Sequence, residues 1–324
     1  MSADSKPQPI FVLSLPRAGS TLLQRLIAVS PQVASCPEPW LMLPLVYVFE
    51  RKAIYSEYNC LIGSLGIHTI TERIAGNREG LHAAIRAFAQ DVYGRLSPNQ
   101  ERYFLDKTPR YSVIAPELVK IFPEAKFIFL WRNPLALVAS NVRSLMKGRF
   151  RSNRMEIDWQ VGVPALIEAA QVLGPRGLHI RYEELVKDPK SHLQQIGKFL
   201  DIDDGPIVNS LEDIPRIEGG LGDPTGQKTY KGLSADSLKN YGADCAGWVR
   251  KRWIRKRLKS LPPAFFEYSG FPLASLLQEL QSLPAFNTKF HWDLVDLPLN
   301  WMHCHFDLAA QHAKWRTRRF IPRN

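Results

Sequence analysis

One order of elements occurs three times in this chain: a short apolar run, a turn with polar residues or proline, and then a segment in which apolar residues have helical spacing. The apolar runs lie at residues 10–13, 127–131 and 178–182. Short apolar runs bounded by turn signals are typical of buried strands. A strand-then-helix order that repeats requires right-handed crossovers and produces a mainly parallel sheet. Ligands of such sheets bind beyond the carboxyl ends of the strands.

The sequence therefore predicts an α/β fold that is P-loop-like and has three layers, with a mainly parallel central sheet flanked by helices and a C-terminal region of helices and loops. We expect a main domain at residues 1–275 and an extension at residues 276–324 that packs on it. The further predicted elements are a strand at 103–105, helices at 41–51, 81–96, 135–145 and 189–200, a long loop at 203–230 and a helix that ends near 259.

Composition and charge limit the kind of protein without identifying it. The four cysteines are scattered and lack metal-type spacing, which favours free thiols in a reducing compartment. Residues 1–9 are polar, and the apolar stretch 40–49 is too short to span a bilayer, so we expect a soluble, cytoplasmic protein. A formal charge of +11 favours an anionic partner, and nucleic acid, an anionic membrane and a phosphorylated nucleotide all fit.

The turn after the first apolar run has the residues of a phosphate-binding loop. Gly19 allows the backbone to approach an anion closely, and Ser20 and Thr21 supply hydroxyl donors at the start of a helix. Arg17 adds a permanent cation. A Walker A loop would need glycine at position 14 and lysine at position 20, and both positions are serine. A simple helix cap would use the same residues, so both interpretations stay open at this point.

Residues 16–23, Pro-Arg-Ala-Gly-Ser-Thr-Leu-Leu, resemble the 5′-phosphosulfate loop of the sulfotransferases that use PAPS (3′-phosphoadenosine 5′-phosphosulfate). The branch that they resemble most includes the tyrosylprotein sulfotransferases and many bacterial homologues. The resemblance implies that the loop binds the 5′-phosphate and the sulfuryl group of PAPS. The residues to which this role is carried over are Arg17, Ala18, Gly19, Ser20 and Thr21.

A second segment is similar to the 3′-phosphate element of the same family. It consists of Arg132-Asn133-Pro134 at a strand end and Ser140 in the helix that follows. An arginine binds phosphate oxygens with a forked pair of donors, and a serine one or two turns along the helix adds a further hydrogen bond. Arg143 lies one turn beyond Ser140 on about the same face and can supply a second cation.

Two weaker resemblances complete the donor site. Residues 181–185 are similar to the family's Tyr-Glu-x-Leu segment, which implies that Tyr182 lies near the adenine ring. A tyrosine that only covers the core fits this position equally well. Residues 228–234 resemble an element that closes over the donor, and from it only Lys228 is carried over.

The resemblance also implies which residues assist the transfer. The tyrosylprotein branch has a glutamate downstream of the phosphate loop, and Glu38 stands at the matching separation as general base. Flanking prolines restrict its backbone, and burial beside Trp40 and Leu41 would have to strengthen a carboxylate that is a weak base in water. Arg17 and Lys107 are implied to lie near the transferring group, where charge builds on the departing PAP. An ordinary loop glutamate and a solvated lysine are the alternatives.

Two other functions stay open. A nucleotide kinase or other P-loop transferase would need a Walker lysine and acidic magnesium ligands, whereas the strand end at 130–132 is basic. A non-enzymatic binder of nucleic acid or anionic membrane would use the basic segment 250–259. If that segment is a helix of the core instead, its cations are solvated. The face toward the core would then consist of Trp248, Trp253, Ile254 and Leu258.

The acceptor has no readable motif. We expect a hydroxyl, with an amine as the alternative, and carbohydrate, lipid, phenol and peptide acceptors all stay open, whereas nucleic acid is not expected. His68 and His82 are minor alternatives as the base, and no metal is needed. The hypothesis depends on one geometric condition, namely that the two phosphate-binding clusters line a single pocket.

Overall fold

The computed structural model describes residues 6–50, 60–211, 214, 217 and 241–306, and in these ranges five strands form one parallel sheet. The strands are β1 (Gln8–Ser14), β2 (Val33–Ser35), β3 (Tyr103–Asp106), β4 (Lys126–Trp131) and β5 (Gly177–Arg181). Their order across the sheet is β2-β3-β1-β4-β5, and each neighbouring pair is parallel. The predicted α/β class with a mainly parallel central sheet is confirmed.

The two central strands, β1 and β4, are apolar along most of their length because both faces of the sheet are covered. Residues 10–13 and 127–130 are almost completely buried. The register places Phe11 beside Phe127, and the two rings stack with their centroids 5.5 Å apart. Burial on both faces explains why these strands are continuous apolar runs in the sequence and do not alternate with polar residues.

Helices surround the sheet and form the C-terminal region. In chain order they are α1 (Ser20–Ile27), α2 (Met42–Glu50), α3 (Cys60–Arg73), α4 (Asn77–Arg95), α5 (Ala115–Ile121), α6 (Pro134–Ser144), α7 (Val163–Leu173), α8 (Tyr182–Lys187), α9 (Pro189–Leu200), α10 (Gly205–Asn209), α11 (Gly242–Cys245), α12 (Trp248–Ser260), α13 (Pro263–Ser269), α14 (Leu273–Ser282) and α15 (Phe290–Phe306). Shorter helical turns are three 3₁₀ segments, Pro109–Ile114, Ser152–Arg154 and Gly174–Arg176, and a π-helical segment, Asp158–Gly162.

The predicted helices are present with small shifts of their ends. α9 has the predicted bounds, because Asp188 accepts a hydrogen bond from Ser191 N at its start and Asp201 ends it in the left-handed conformation. The strand predicted at 178–182 is shifted by one residue, because β5 covers Gly177–Arg181 and Tyr182 begins α8. The predicted loop at 203–230 contains α10 near its start, and most of the rest lies outside the described residues. β2, α3, α5 and α7 have no counterpart among the predicted elements.

The basic segment of the C-terminal region forms most of α12, and its packing differs from the expected one. Ile254 and Leu258 are buried as predicted, but Trp248 is 43% exposed. Arg250 is only 2% exposed and forms an ion pair with Asp293 of α15. The prediction that the cations of this segment are solvated is therefore wrong for Arg250, because a buried carboxylate compensates its charge.

No helix in the described ranges combines the length and the apolar character needed to cross a bilayer. Cys36 and Cys245 have free thiols, and burial raises the pKa of the Cys245 thiol to about 12. The compartment and the division of the chain at residues 275 and 276 stay predictions.

The topology determines where a ligand site can form. In the sheet β1 has β3 on one side and β4 on the other. The segments that follow these three strands therefore border one crevice at the carboxyl edge of the sheet. Those segments begin at Leu15, Lys107 and Arg132.

Candidate active site

A cavity of about 260 Å³ opens at the carboxyl edge of the sheet. Its wall includes residues 16–17 and 19–22 from the first phosphate-binding cluster and Arg132 and Ser140 from the second. The two clusters touch, because Arg17 Nε donates to Ser140 Oγ at 3.3 Å and Arg132 Nη1 donates to the Arg17 carbonyl at 2.7 Å. The geometric condition of the sequence hypothesis is met, since both clusters line one pocket.

The loop between β1 and α1 has an unusual backbone and lines the cavity. Arg17 and Gly19 both have positive φ, 72° and 99°, a region that residues other than glycine adopt rarely. α1 begins directly after Gly19, and its first amides lie at the positive end of the helix dipole. A Cβ on Gly19 would stand 2.5 Å from the ring of Tyr182, so glycine is required for the close contact as well as for φ.

The second cluster is held by the start of α6. Asn133 caps this helix, because its side chain accepts a hydrogen bond from Leu135 N at 2.8 Å, and Pro134 fixes the first helical residue. Asn133 N donates to Glu183 Oε1 at 2.9 Å, and burial raises the pKa of the Glu183 carboxyl. Arg132 stands over the Tyr182 ring, with its guanidinium carbon 4.3 Å from the ring centroid. The turn after β4 is therefore held by Glu183, which accepts from its backbone, and by Tyr182, whose ring packs against Arg132.

Glu38 and Lys107 form an ion pair at the same cavity. Lys107 Nζ lies 2.8 Å from Glu38 Oε1 and 3.3 Å from Thr21 Oγ1. The lysine side chain is 1% exposed, whereas the glutamate is 14% exposed and lines the cavity. Lys107 is thus not a solvated lysine, and Glu38 is partly buried with a cation as its direct partner.

The segment that carries Glu38 is tied to the sheet by buried polar groups. Gln24 of α1 donates through Nε2 to Ser35 Oγ and to the Cys36 carbonyl, both at 2.8 Å. Ser35 Oγ donates in turn to the Leu105 carbonyl of β3 at 2.7 Å. These bonds connect the first helix, the edge strand β2 and β3, so the position of Glu38 depends on three elements.

A buried carboxyl group at the end of β3 organises the next part of the wall. The Tyr93 and Tyr111 hydroxyls donate to Asp106 Oδ2 at 2.7 and 3.0 Å. The Tyr111 hydroxyl also accepts from Met42 N at 2.9 Å, which anchors the start of α2. Burial raises the pKa of Asp106 to about 7, against the lowering effect of the tyrosine hydrogen bonds. In the sequence Asp106 is only a strand-breaking residue, and no local signal indicates this network.

On its other side the cavity is bordered by Trp40, Pro109, Arg110 and Leu145. Arg110 Nη1 pairs with Asp158 Oδ1 at 3.1 Å. Burial raises the pKa of Asp158 to about 6, and the nearby Arg110 opposes that rise. This wall combines apolar surface with one cation, and it was not identified from the sequence because its residues come from three separate segments.

A model of the sulfotransferase family matches residues 9–206 of the chain. The chain belongs to the sulfotransferase family. It is 33% identical over 232 residues to the nodulation protein NoeE of Sinorhizobium fredii, covering 64% of this chain and 54% of that protein. It is 26% identical over 223 residues to protein-tyrosine sulfotransferase 2 of Gallus gallus, covering 67% of this chain and 57% of that enzyme. The matches therefore span little more than half of each relative's length.

Solved structures of sulfotransferases also resemble the chain. The sulfotransferase domain from the Synechococcus PCC 7002 olefin synthase superposes with a TM-score of 0.49 and 26% sequence identity, covering 74% of this chain and 90% of that domain. The stretch that the family model matches contains both phosphate-binding clusters, Glu38 and Lys107, so the cavity lies within the sulfotransferase part of the chain.

The remaining candidate residues lie in different places. Ala18 is buried behind the loop at 1% exposure. Arg143 does not line the cavity, and its guanidinium pairs with Asp244 at 2.7 Å. Lys228 lies outside the described residues. His68 is exposed on α3 and His82 is buried on α4, and neither lines the cavity.

Among the described residues, the cavity lacks the features that a kinase-like loop would need. β4 ends at Trp131, and the residue that follows is the buried Arg132. The acid at the end of β3, Asp106, is completely buried and bonded to two tyrosines. In the described ranges no group of three or more His, Cys, Asp or Glu residues is arranged to hold a metal ion.

Proposed function

We propose that this protein transfers a sulfuryl group from PAPS to an acceptor hydroxyl, with an amine as the alternative acceptor, and releases PAP. The single observation that carries the proposal is that one cavity joins two phosphate-binding clusters to the Glu38–Lys107 ion pair. A donor with anionic groups at both its 5′ and 3′ ends needs two such clusters, whereas a simple phosphate site needs one.

The chemistry of the cavity wall fits this donor. The amides at the start of α1, with Arg17, Ser20 and Thr21, would hold the 5′-phosphate and sulfuryl group. Arg132 and Ser140 would hold the 3′-phosphate, and Tyr182 would contact the adenine. Arg143, whose guanidinium pairs with Asp244, and Lys228 are the further residues of the proposed set. When bound, PAPS supplies the activated sulfuryl group.

The residues of the cavity can then assist an in-line displacement at sulfur. As the acceptor oxygen forms its bond to sulfur, the bond from sulfur to the bridging phosphate oxygen breaks, and the acceptor proton passes to the Glu38 carboxylate. Arg17 and the Lys107 ammonium face the negative charge that builds on the departing oxygen. During transfer, Lys107 Nζ would have to weaken its hydrogen bond to Glu38 and form a hydrogen bond to the donor.

The acceptor would enter between Trp40, Pro109, Arg110 and Leu145, because this wall lies beside Glu38 and away from the two phosphate-binding clusters. The chicken relative is named for protein tyrosine and the Sinorhizobium relative for nodulation. For this chain we propose only the class, an acceptor with a hydroxyl or amine on a carbohydrate, lipid, phenol or peptide.

The test begins with nucleotide binding. PAP should raise the melting temperature at micromolar concentration, whereas ATP and duplex DNA should not. Arg132→Ala should weaken PAP binding by about tenfold or more, because a charged donor to phosphate is lost. Arg143→Ala should cause a smaller loss of PAP affinity. Arg95 forms an exposed i,i+4 ion pair with Asp91, so Arg95→Ala should leave PAP affinity unchanged.

A screen with labelled PAPS across the four acceptor classes then identifies the product. Stabilisation by duplex DNA together with no response to PAP would show that the protein binds nucleic acid and that the proposal is wrong. Unchanged PAP affinity in Arg132→Ala would exclude the assignment of Arg132 to the 3′-phosphate of the donor.

A further inference from the structure

The last described helix, α15, has its polar side turned inward. The only Asp, Glu, Lys or Arg residues between Phe290 and Phe306 are Asp293 and Asp296, and both are 1% exposed. Asp293 is bound through both oxygens to Arg250 at 2.7 Å, and Asp296 pairs with Arg149. The charged residues of this helix therefore attach it to the body of the protein.

The outward side of α15 is mainly apolar, and the exposed polar side chains on it include His291 and His305. A surface helix normally has the opposite arrangement, with its apolar stripe on the core. Scattered exposed apolar residues are ordinary, but a continuous patch of this kind marks a binding surface. The exposed apolar residues, each 38–55% accessible, are Trp292, Leu294, Val295, Leu297, Leu299, Trp301, Met302 and Phe306.

A basic cavity of about 460 Å³ adjoins this apolar face. Leu299 borders both, and the opposite wall contains Arg151 and Arg154, neither of which forms an ion pair within the described ranges. His303 also lines the cavity, and its buried Nδ1 has no hydrogen-bond partner among the described residues. Since Asp296 is neutralised by Arg149, the net charge of the cavity is positive, which suits a phosphate group.

We propose that α15 docks the protein on an anionic phospholipid surface, with its apolar face at the boundary between headgroups and acyl chains and a lipid phosphate in the basic cavity. A helix of 17 residues is about 25 Å long and would lie in the plane of the membrane. The sequence after the helix, residues 307–324, contains five Lys or Arg and one Asp, a basic composition that anionic lipids attract.

Charge favours a membrane over a second copy of the chain as the occupant. In a two-fold dimer the same patch meets itself, so the interface would contain the positive charges of Arg151 and Arg154 twice and no added anion. Like charges in one interface oppose association, whereas an anionic bilayer compensates them. The inference does not depend on the proposed sulfuryl transfer.

The experiment measures sedimentation of the full chain with vesicles of phosphatidylcholine alone and of phosphatidylcholine with phosphatidylglycerol. We expect binding to the anionic vesicles that weakens at high salt. The combined variant Leu294→Gln, Leu297→Gln and Met302→Gln should reduce this binding by at least about tenfold, because three apolar side chains no longer enter the boundary region. Glutamine retains helix propensity, and an unchanged circular dichroism spectrum checks folding.

A matched control replaces three apolar residues of similar exposure elsewhere, Phe88→Gln, Leu96→Gln and Val172→Gln, which are 52%, 42% and 58% accessible. This control should bind vesicles like the unmodified chain. Arg151→Gln with Arg154→Gln should weaken binding to anionic vesicles only, because the apolar face is intact. Light scattering of the unmodified chain measures whether it forms a dimer, which tests a second copy of the chain as the occupant of this face.

Three results would overturn the proposal. One is equal binding of the α15 variant and the unmodified chain, and another is equal binding to neutral and anionic vesicles. The third is an absence of vesicle binding together with a dimer that the α15 variant dissociates, which would assign the face to a second copy.

Discussion

Two buried ion pairs in this protein have the same chemistry and different surroundings. At the carboxyl edge of the sheet Lys107 pairs with Glu38, which is 14% exposed and lines a cavity. Behind α15 Arg250 pairs with Asp293, and the two side chains are 2% and 0% exposed. Asn287 Nδ2 donates to Asp293 as well, at 3.0 Å, so this carboxylate has no open side. The comparison teaches that the open pair is available to a ligand, while the closed pair acts as a structural anchor.

The largest expected effect tests the closed pair. Arg250→Ala should lower the free energy of unfolding by about 3–5 kcal/mol, because it leaves the Asp293 carboxylate buried without its cation. Urea unfolding followed by circular dichroism measures this loss. Arg252→Ala, an exposed cation of the same helix, should change stability by less than about 0.5 kcal/mol. A loss below about 1 kcal/mol in Arg250→Ala would remove the distinction between anchor and open pair.

The next prediction concerns the open pair. Glu38→Gln should reduce turnover by about 10²-fold or more, since a proton acceptor is lost, while PAP affinity stays close to the original value. Stability should fall as well, because the buried Lys107 ammonium loses its anionic partner. Steady-state assays with labelled PAPS and PAP titrations measure the two quantities separately. Glu168→Gln, an exposed glutamate on α7, is the control that should keep full turnover. Normal turnover in Glu38→Gln would eliminate it as the base.

The backbone of the phosphate-binding loop provides a smaller effect. Gly19→Ala should destabilise the protein by about 2 kcal/mol, from positive φ and from contact with the Tyr182 ring, and should weaken PAP binding. Gly76→Ala is matched to it, because Gly76 also precedes a helix with positive φ but has its nearest neighbour at 3.2 Å. It should cost about 1 kcal/mol and leave PAP binding unchanged. Equal effects of the two variants would contradict the importance of the Tyr182 contact.

The smallest effect is a pH dependence at Asp106. Burial raises the pKa of this acid to about 7 in the folded state, above its unfolded value, so the folded protein favours the protonated form. Its contribution to stability is complete below about pH 4 and is lost as pH rises through about 7. Relative to Asp106→Asn, the unmodified chain should lose about 1 kcal/mol of unfolding free energy between about pH 6 and pH 7. A constant difference across that window would show that Asp106 does not titrate there.

Much of the cavity could be predicted because its chemistry is encoded locally. The loop of residues 16–21 and the turn at 132–134 each combine a strand, a short connection and a helix start within a few residues, so the residues that face a phosphate are neighbours in sequence. The Asn133 cap had a sequence signal as well, an asparagine before a proline at a helix start. The Asp106 network had none, because Tyr93 and Tyr111 reach it from separate elements.

The sequence by itself determined the parallel sheet, the positions of its central strands and the two segments that we propose to bind phosphate, because buried strands and helix starts have short-range patterns of apolar and capping residues. Only the tertiary structure decided which distant side chains meet: Arg17 with Ser140, Lys107 with Glu38, and Arg250 with Asp293. It also decided that α15 turns its acids inward. A periodic pattern defines the two sides of a helix, but the side that faces the protein depends on which charges the rest of the fold places beside it.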